Sequence, residues 1–415
     1  MHWFAILVLA LILAKLATQI WLERLNNAHV AARTGAVPEA FRKFIDEATY
    51  RKTIAYTLAK GNFYQLDLAW SAFVLTAVLF SGLFPWGYSA VHAHIGDSVW
   101  AMAGFLFIAG VAMSLPGLPL DWYAQFRLEQ RFGFNTSTQG TWWGDRLKGL
   151  LISLALLYPL LALVLKLSEC AGRWWWFWVW AVFVGFQLLM LVLAPVIILP
   201  LFNKFTPLPE GSLRDRLFEL ANRTGFRARS IQVMDGSRRS KHSNAFFTGF
   251  GRIRKIVLFD TLMAQLTEQE LEAVLAHEIG HYQRKHIPKM MAASVAGGLV
   301  GLFALFLLSD QDWFYHAFGF QPGSLVPALL IFGLVSGVAT FWLSPLTHFW
   351  SRKYEYEADA FAAKVMQSPA PLVAALRKLN EKNLSNLTPH PLYSGFYHSH
   401  PTLLERESAL AASGG

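Results

Sequence analysis

The sequence predicts a predominantly α-helical integral membrane protein, in which seven transmembrane helices accompany a smaller α+β domain. The first observation behind this prediction is composition. Of the 415 residues, 54% are hydrophobic and only 15% are charged, whereas soluble proteins carry about 25% charged residues. The second observation is a series of seven apolar segments, since about 20 apolar residues suffice to cross a bilayer. Together they exclude an ordinary soluble enzyme, a disordered chain and a fibrous repeat.

The first and fifth of these apolar segments have distinctive ends. The first contains Lys15 and lacks the basic start and the cleavage site of a signal peptide, so we expect a retained helix. The fifth opens with three tryptophans and closes with Pro195 and Pro200, which predicts a tilted helix or a kinked, partly unwound end. The spans are predicted at residues 3–22, 69–88, 99–120, 147–168, 174–201, 291–308 and 326–347.

The loops between the spans alternate in charge, and this alternation predicts the orientation. Lys and Arg are frequent in the first, third and fifth loops and in the C-terminal tail, but absent from residues 89–98 and 309–325. Because basic residues accumulate in cytoplasmic loops, we expect the N-terminus outside and the polar segments 202–290 and 348–415 in the cytoplasm. The same rule explains the net charge of +9. The expected surroundings are a lipid bilayer, and no nucleic-acid partner is predicted.

The two polar segments supply the predicted α+β domain. Four parts follow from the hydropathy: five spans in 1–201, a polar segment in 202–290, two spans in 291–347 and a polar tail in 348–415. Short β-branched and aromatic runs predict strands at residues 230–234, 244–248 and 254–259. Thr267 and Glu270 form a capping-box pattern, which predicts a helix beginning there.

This helix carries the sequence H-E-x-x-H, formed by His277, Glu278 and His281. Histidines four residues apart lie on one helical face and can hold a single metal ion, and neutral imidazole suits zinc. Glu278 lies beside the pair, where it can act as general base towards water. The alternative is an amphipathic helix with two surface histidines, but the pattern is expected by chance at most about 0.03 times in such a chain. The single cysteine, Cys170, excludes a disulfide or a cysteine-based zinc cluster.

A third metal ligand is predicted just after the last span. Glu355 and Asp359 are again four residues apart, so Glu355 could bind the metal while Asp359 accepts a hydrogen bond from a ligand histidine. Glu357 is the competing ligand, although it points to another helical face. A charged helix leaving the membrane would explain the neighbouring basic residues, but not two carboxylates on one face.

These motifs occur in an order that resembles the type I CAAX prenyl endopeptidases, a family of membrane-embedded zinc metalloproteases. The resemblance covers nearly the whole chain and implies a barrel of seven tilted helices around a large water-filled chamber. A zinc domain would close its cytosolic side, with one zinc ion per chain. Besides H-E-x-x-H and E-x-x-x-D, the matching segments are GFNT at 133–136, LFNKFTPL at 201–208, SNA at 243–245 and SHPTLLER at 399–406.

The resemblance also implies roles for residues that bind substrate. Asn244 and Ala245 match an edge strand that pairs with an extended peptide, although a buried strand with a polar turn is the alternative. His400 matches a histidine that stabilises the tetrahedral oxyanion, with His398 as its rival. Arg406 is expected either to bind a substrate carboxylate or to lie on a helix surface. By contrast, two histidines without motif spacing are interpreted as ordinary surface residues: His242 and His286.

The predicted function is peptide-bond hydrolysis by an integral membrane zinc metalloendopeptidase. Its expected partners are peptides or proteins, with or without a lipid anchor. One alternative is a quality-control protease for membrane proteins, and another is a non-catalytic chamber that binds lipids. Glu278 favours catalysis, because a structural zinc would not need this residue and usually has four protein ligands.

Compact loops and a short C-terminus resemble bacterial proteins, so we expect a bacterial inner membrane and do not assume a CAAX substrate. No oligomeric state is predicted.

Overall fold

Within residues 2–226, 228–248 and 255–413, which the computed structural model describes, seven helical units are long and apolar enough to cross a membrane. Large apolar side chains on these units, among them Phe73, Ile108 and Val300, are exposed. Such surfaces are expected where a helix faces lipid instead of water. The units are Trp3–Ala31, Glu47–Phe80, Val99–Phe132, Gln139–Cys170, Gly172–Phe202, His286–Ser309 and Leu325–Met366.

The N-terminal half consists of helices. They are α1 (Trp3–Ala31), α2 (Glu47–Phe80), α3 (Leu83–His94), α4 (Val99–Ser114), α5 (Leu118–Tyr123), α6 (Gln130–Phe132), α7 (Gln139–Cys170), α8 (Trp175–Leu193) and α9 (Leu199–Phe202). The C-terminal half adds α10 (Ser212–Arg223), α11 (Asp260–Gln265), α12 (Glu268–Gln283), α13 (His286–Ser309), α14 (Asp312–His316), α15 (Leu325–Thr340), α16 (Ser344–Met366), α17 (Ala370–Lys382), α18 (Pro391–Tyr397) and α19 (Leu403–Ser413).

A small sheet lies in the polar segment, with the strand order β1-β2-β4-β3. Its central pair is parallel and its two outer pairs are antiparallel. The strands are β1 (Phe205–Pro207), β2 (Ser230–Met234), β3 (Ala245–Thr248) and β4 (Lys255–Phe259). All three predicted strands are confirmed, although residue 254 lies outside the described residues. The sequence did not reveal β1, because three residues ending in proline carry too little alternation to signal a strand.

The bounds predicted for the second span are wrong, because residues 69–88 contain parts of two helices. Helix α2 begins far earlier, at Glu47, where the Asp46 side chain caps its first turn. It ends before Gly82, whose φ of +76° starts α3. A hydropathy window overlooks the polar half of a helix that continues beyond the bilayer. Glycine readily adopts positive φ because it lacks a Cβ atom, and the chain can therefore break there.

Spans three and five contain irregular turns. In span three, a 3-10 turn at Leu115–Gly117 and a π-helical segment at Ala124–Glu129 connect α4, α5 and α6. In span five, a π-helical segment at Ala194–Ile198 joins α8 to α9 and contains Pro195. Proline has no amide hydrogen to donate, which favours such local widening. The predicted irregular end of span five is therefore confirmed, as a π-helical segment instead of an unwound one.

The spanning helices, together with α3, contact one another in a closed ring. Helix α1 packs on α2, and the contacts continue through α3, α4, α7, α8, α13 and α15 back to α1. Cavities of about 630 and 590 Å³ lie within this arrangement, one beside the polar segments and one among the loops that contain Asp97, Asp310 and Gly323. The seven spans thus form a barrel-like chamber, and the α+β domain adjoins one end of it.

The last span continues into the polar tail without interruption. A 3-10 turn at Phe341–Leu343 joins α15 to α16 end to end, so a single unit runs from Leu325 to Met366. The second half of this unit packs closely on α12. The helix that leaves the membrane therefore delivers the predicted third ligand to the helix that carries H-E-x-x-H.

Candidate active site

Three side chains with metal-binding chemistry converge between α12 and α16. His277 and His281 extend from α12 and Glu355 extends from α16, and their ligand atoms lie within 4.8 Å of one another. The two Nε2 atoms are 3.1 Å apart. The oxygens of Glu355 lie 3.4 Å from Nε2 of His277 and 3.3 Å from Nε2 of His281. The structure therefore brings together the three residues that the two spacing patterns singled out.

The start of α12 is determined by its local sequence. The Thr267 hydroxyl accepts a hydrogen bond from the Glu270 amide, and the Glu270 carboxylate accepts one from the Thr267 amide. This reciprocal pair is the predicted capping box, which satisfies two amides at the helix start. With 3.6 residues per turn, the helix then presents His277 and His281 on the same face.

A glycine allows the two metal-binding helices to approach closely. A Cβ atom on Gly280 would lie 3.0 Å from Cα and 3.1 Å from the carbonyl oxygen of Ala358. Backbone atoms cannot move aside as a flexible side chain can, so any larger residue would separate α12 from α16. Gly280 therefore keeps Glu355 within reach of the two histidines.

Nδ1 of His277, the ring nitrogen remote from the cluster, faces Asp359. The distance from Nδ1 to Oδ1 is 2.8 Å. Arg406 donates to the same carboxylate from Nε at 2.7 Å and from Nη2 at 2.5 Å. An acceptor at Nδ1 holds the proton there and leaves the Nε2 lone pair free for a metal. Asp359 thus contacts the ring nitrogen of His277 that faces away from the cluster.

The position of Arg406 corrects the sequence analysis. The surface alternative is wrong, because Arg406 is only 8% exposed. Two of its three guanidinium nitrogens are engaged with Asp359, and Nη1 lies 3.8 Å from Glu355. We therefore replace the expected contact with a substrate carboxylate by a positioning role, in which Arg406 fixes Asp359 behind His277.

His286 was expected to be an ordinary surface residue, and this expectation is wrong. Its side chain is buried, and its Nδ1 lies 3.0 Å from Nδ1 of His281. Its Nε2 lies 3.1 Å from Glu357, and its ring stacks on Tyr354 at a centroid distance of 4.3 Å. If His281 offers its Nε2 lone pair to a metal, its Nδ1–H donates to His286, which in turn donates to Glu357. Glu357, the competing ligand, therefore lies behind the cluster.

The contact between His286 and His281 predicts an effect on metal affinity. In a His286→Phe variant, the ring can still stack on Tyr354, but Nδ1 of His281 loses its acceptor. We expect metal affinity to fall by about 10- to 100-fold, as is typical of outer partners of metal ligands. Competition with a chromophoric chelator measures this change, and His316→Phe, at an exposed position, provides the control. Equal affinities in the two variants would contradict the assignment.

Glu278 lies beside the cluster in a largely enclosed position. Burial raises the pKa of Glu278, while the charges of His277 and His281 oppose this shift. A carboxyl whose pKa is shifted towards neutrality can both accept and return a proton. For His277, burial lowers the pKa, but the neighbouring carboxylates of Asp359 and Glu355 outweigh burial and raise it to about 9. Cation binding at Nε2 therefore displaces a proton at neutral pH.

His400 is the histidine of the tail that reaches the cluster. Its Nε2 lies 3.4 Å from Oε1 of Glu355, and its Nδ1 contacts the Ser399 hydroxyl at 2.9 Å. The His400 side chain is 63% exposed to solvent. The protein atoms around it nevertheless desolvate the imidazole and lower its pKa. The rival, His398, instead approaches Tyr393, with ring centroids 5.8 Å apart. The geometry therefore favours His400 over His398 as a donor beside the cluster.

The predicted substrate strand lies at the edge of the sheet. Asn244 is exposed and directly precedes β3, and its carbonyl oxygen accepts a hydrogen bond from the Phe259 amide. Its side-chain oxygen accepts a hydrogen bond from the Ala245 amide at 2.8 Å. Strand β3 pairs with β4 on one side and, within the described residues, has no strand on the other. An extended peptide could pair with this free edge.

His242 was also expected to be an ordinary surface histidine, and the structure corrects this. Its ring stacks on Phe134 at a centroid distance of 4.1 Å. Its nitrogens lie 3.2 Å from Asn383 and 3.3 Å from Glu129, which also accepts a hydrogen bond from Tyr56. His242 thus anchors the segment that leads to β3. Phe134 belongs to the GFNT segment, so that motif was the available sequence signal.

The chemistry of this cluster fits a bound metal ion. Oε2 of Glu355 is buried and has no hydrogen-bond partner among the described residues. Buried polar atoms are ordinarily satisfied, so this oxygen indicates a partner outside the protein chain. Two imidazoles and one carboxylate form the set that catalytic zinc sites use, and their outer acceptors are in place. The residues therefore fit a divalent cation.

Comparison with known proteins agrees with this geometry. The family profile described as "CAAX prenyl protease N-terminal, five membrane helices" matches residues 27–204, and the profile of peptidase family M48 matches residues 207–413. Together the two profiles span nearly the whole chain. The chain belongs to the CAAX prenyl protease 1 family. It is therefore a membrane-embedded zinc metalloprotease, and a non-catalytic lipid chamber is not favoured.

Curated relatives and a solved structure extend the match across the chain. "CAAX prenyl protease 1" of Saccharomyces cerevisiae is 37% identical, with 90% of this chain and 88% of that protein covered. "CAAX prenyl protease 1 homolog" of Oryza sativa is 33% identical over 92% of each chain. The crystal structure of S. mikatae Ste24p superposes with a TM-score of 0.92 at 31% identity, over 99% of each chain. The predicted fold, with a barrel capped by a protease domain, is thus confirmed.

Proposed function

We propose that this member of the CAAX prenyl protease 1 family holds one zinc ion between His277, His281 and Glu355 and hydrolyses extended peptides beside it. The observation that carries this proposal is the convergence of these three side chains around the unsatisfied Oε2 atom of Glu355. When bound, zinc supplies Lewis-acid activation of water and polarisation of a peptide carbonyl.

The protein's own residues would handle the protons and the developing charge. Glu278 accepts a proton from the attacking water and passes it to the leaving amine. His400 donates a hydrogen bond to the carbonyl oxygen, which gains negative charge only as the transition state forms. Asp359 and His286 hold the two ligand histidines in the tautomers that binding requires.

Substrate would be aligned along the free edge of β3. A peptide paired with this edge runs beside α12, which contacts β3. Asn244 and Ala245 lie at the start of that edge and would fix the peptide's register. The substrate class is a peptide or protein segment in extended conformation, either free or carried by a lipid-anchored protein. A quality-control role on membrane proteins would use the same chemistry.

The role of His400 predicts that its removal lowers the rate of turnover without lowering the metal content. His400→Ala should lower kcat by about 10²- to 10³-fold, as is typical when one oxyanion donor is removed. Metal content and KM should change little, whereas Asn244→Ala should affect both KM and kcat. Steady-state kinetics on a fluorogenic extended peptide measure these changes, with zinc quantified in the same samples. Loss of zinc from His400→Ala would make His400 a ligand or support, and absence of hydrolysis by the wild type would contradict the proposed function.

We also propose that the metal cluster faces the cytoplasm and the N-terminus faces outside. The support is the alternation of Lys and Arg between successive loops. In an Ala412→Cys variant that also carries Cys170→Ala, the new cysteine lies at an exposed position. An impermeant thiol reagent should not label it in sealed spheroplasts but should label it after lysis. Labelling of the intact spheroplasts would reverse the topology. The bacterial inner membrane stays a prediction, and the relatives described above are eukaryotic proteins.

A further inference from the structure

A buried carboxylate inside the membrane barrel has no role in the mechanism above. Glu23, on α1, is 2% exposed, and its Oε2 atom has no hydrogen-bond partner among the described residues. The Tyr393 hydroxyl lies near the same side chain. Buried carboxylates are ordinarily paired with a cation. Among the described residues, Glu23 has no ion pair, and Lys60, which lines the same cavity, acts on Glu129 instead.

The surroundings of Glu23 place it in a built recess. Gly61, on α2, lies against the Glu23 carboxylate and the Asn27 amide, and a Cβ at Gly61 would overlap both side chains. Oδ1 of Asn27 is also buried without a hydrogen-bond partner in the described part of the chain. Oε1 of Glu23 and Oδ1 of Asn27 therefore lie at one place where the neighbouring helix carries no side chain.

Glu23 forms part of the wall of the cavity of about 630 Å³. The phenol rings of Tyr64 and Tyr393 belong to the same wall. Glu129, the other carboxylate there, is already engaged by Tyr56 and His242. A carboxylate flanked by phenol rings suits an ammonium or guanidinium group, which gains both charge pairing and cation–π attraction.

This cavity adjoins the metal cluster. It shares three wall residues, Ser385, Asn386 and His398, with the cavity that His400 and Arg406 line. The side-chain amide of Asn386 donates a hydrogen bond to Asn26, one helical turn after Glu23, at 3.2 Å. The recess is thus tied to the segment that carries His400, and a peptide at the cluster can extend into it.

We propose that Glu23 forms a subsite that binds a basic side chain, Lys or Arg, of the peptide substrate. The proposal rests on the proposed peptidase function and adds the chemical class of one substrate residue. The charged group of that Lys or Arg side chain pairs with the Glu23 carboxylate. The alkyl part of the same side chain lies against the phenol rings of Tyr64 and Tyr393. Selectivity therefore arises outside the metal cluster.

The test is a peptide scan with the full-length protein in lipid nanodiscs. Matched fluorogenic peptides carry lysine at one position after another, each paired with a peptide that has the neutral norleucine there. The readout is the ratio of kcat/KM for lysine over norleucine. The wild type should show a ratio of about tenfold or more at one position, comparable with other charge-assisted hydrogen bonds. Glu23→Gln should bring that ratio close to one.

A matched control removes a carboxylate that lies outside the cavity. Glu47→Gln, on the exposed start of α2 where Glu47 pairs with Arg51, should keep the wild-type ratio. Gel filtration and melting temperature show whether Glu23→Gln folds. If it does not, Glu23→Asp takes its place, because aspartate keeps the charge on a side chain that is one methylene shorter. This variant should give an intermediate ratio.

Two outcomes would overturn the proposal. The first is a wild-type ratio near one at every position, and the second is a full preference for lysine in the Glu23 variants. Cleavage of lysine and norleucine peptides at equal rates would reject the subsite and leave the peptidase function intact. If the wild type cleaved neither peptide, the proposed function itself would be wrong.

Discussion

Glu278→Gln should retain the fold and the metal but lower kcat by about 10²- to 10⁴-fold, the range expected when a general base is removed. Glutamine has nearly the same shape as glutamate, so the packing of α12 is preserved, but its amide cannot accept and return a proton at neutral pH. The neighbouring ligand atoms of His277, His281 and Glu355 remain in place. Substrate should therefore still bind while turnover stops.

The measurement combines single-turnover hydrolysis with metal analysis of the same sample. Glu268→Gln is the matched control, since Glu268 lies on the same helix, is exposed and bonds only the Ser212 hydroxyl in the described contacts. The control should keep wild-type kcat and metal content. Retained activity in Glu278→Gln would reject the role of general base, and a joint loss of metal and activity would make Glu278 a structural residue.

Glu355→Ala should abolish activity through loss of the metal. The carboxylate is the only acidic member of the described cluster, so its removal leaves two imidazoles and no charge to offset a divalent cation. We expect the loss of affinity to exceed the 10- to 100-fold typical of outer partners. Zinc content after dialysis against a weak chelator gives the result.

Glu357→Ala provides the sharpest comparison, because Glu357 is the competing ligand and lies two residues away. It contacts His286, so its removal should weaken the metal site within the range of an outer partner. If Glu357→Ala lost its zinc completely while Glu355→Ala kept it, the ligand assignment would be reversed. A Glu355→Ala protein that melts far below the wild type would indicate a loss of folding instead, since Glu355 is buried.

The sequence predicted those parts of the site that depend on one helix at a time. His277 with His281, and Glu355 with Asp359, share a face through helical periodicity, which spacing reveals directly. The capping box at Thr267 was equally local. In each case, the geometry follows from residues within one turn of each other.

Contacts between distant segments were not accessible from the sequence in the same way. His286 meets Glu357 across 71 residues, and Arg406 meets Asp359 across 47. No periodicity relates such positions, so His286 had the appearance of a surface residue, and Arg406 was left between a substrate contact and a helix surface. The same limitation explains the span bounds, since hydropathy records the apolar half of α2 but not its polar extension.

The helical unit from Leu325 to Met366, which continues through the 3-10 turn at Phe341–Leu343, connects the metal cluster to the bilayer. Glu355 lies 14 residues beyond Phe341, about 21 Å along the axis at 1.5 Å per residue. A change in membrane thickness tilts spanning helices, and a stiff arm of this length converts a few degrees of tilt into a shift of about 1–2 Å at its far end. We therefore expect a change in lipid composition to change the distance between Glu355 and the two histidines.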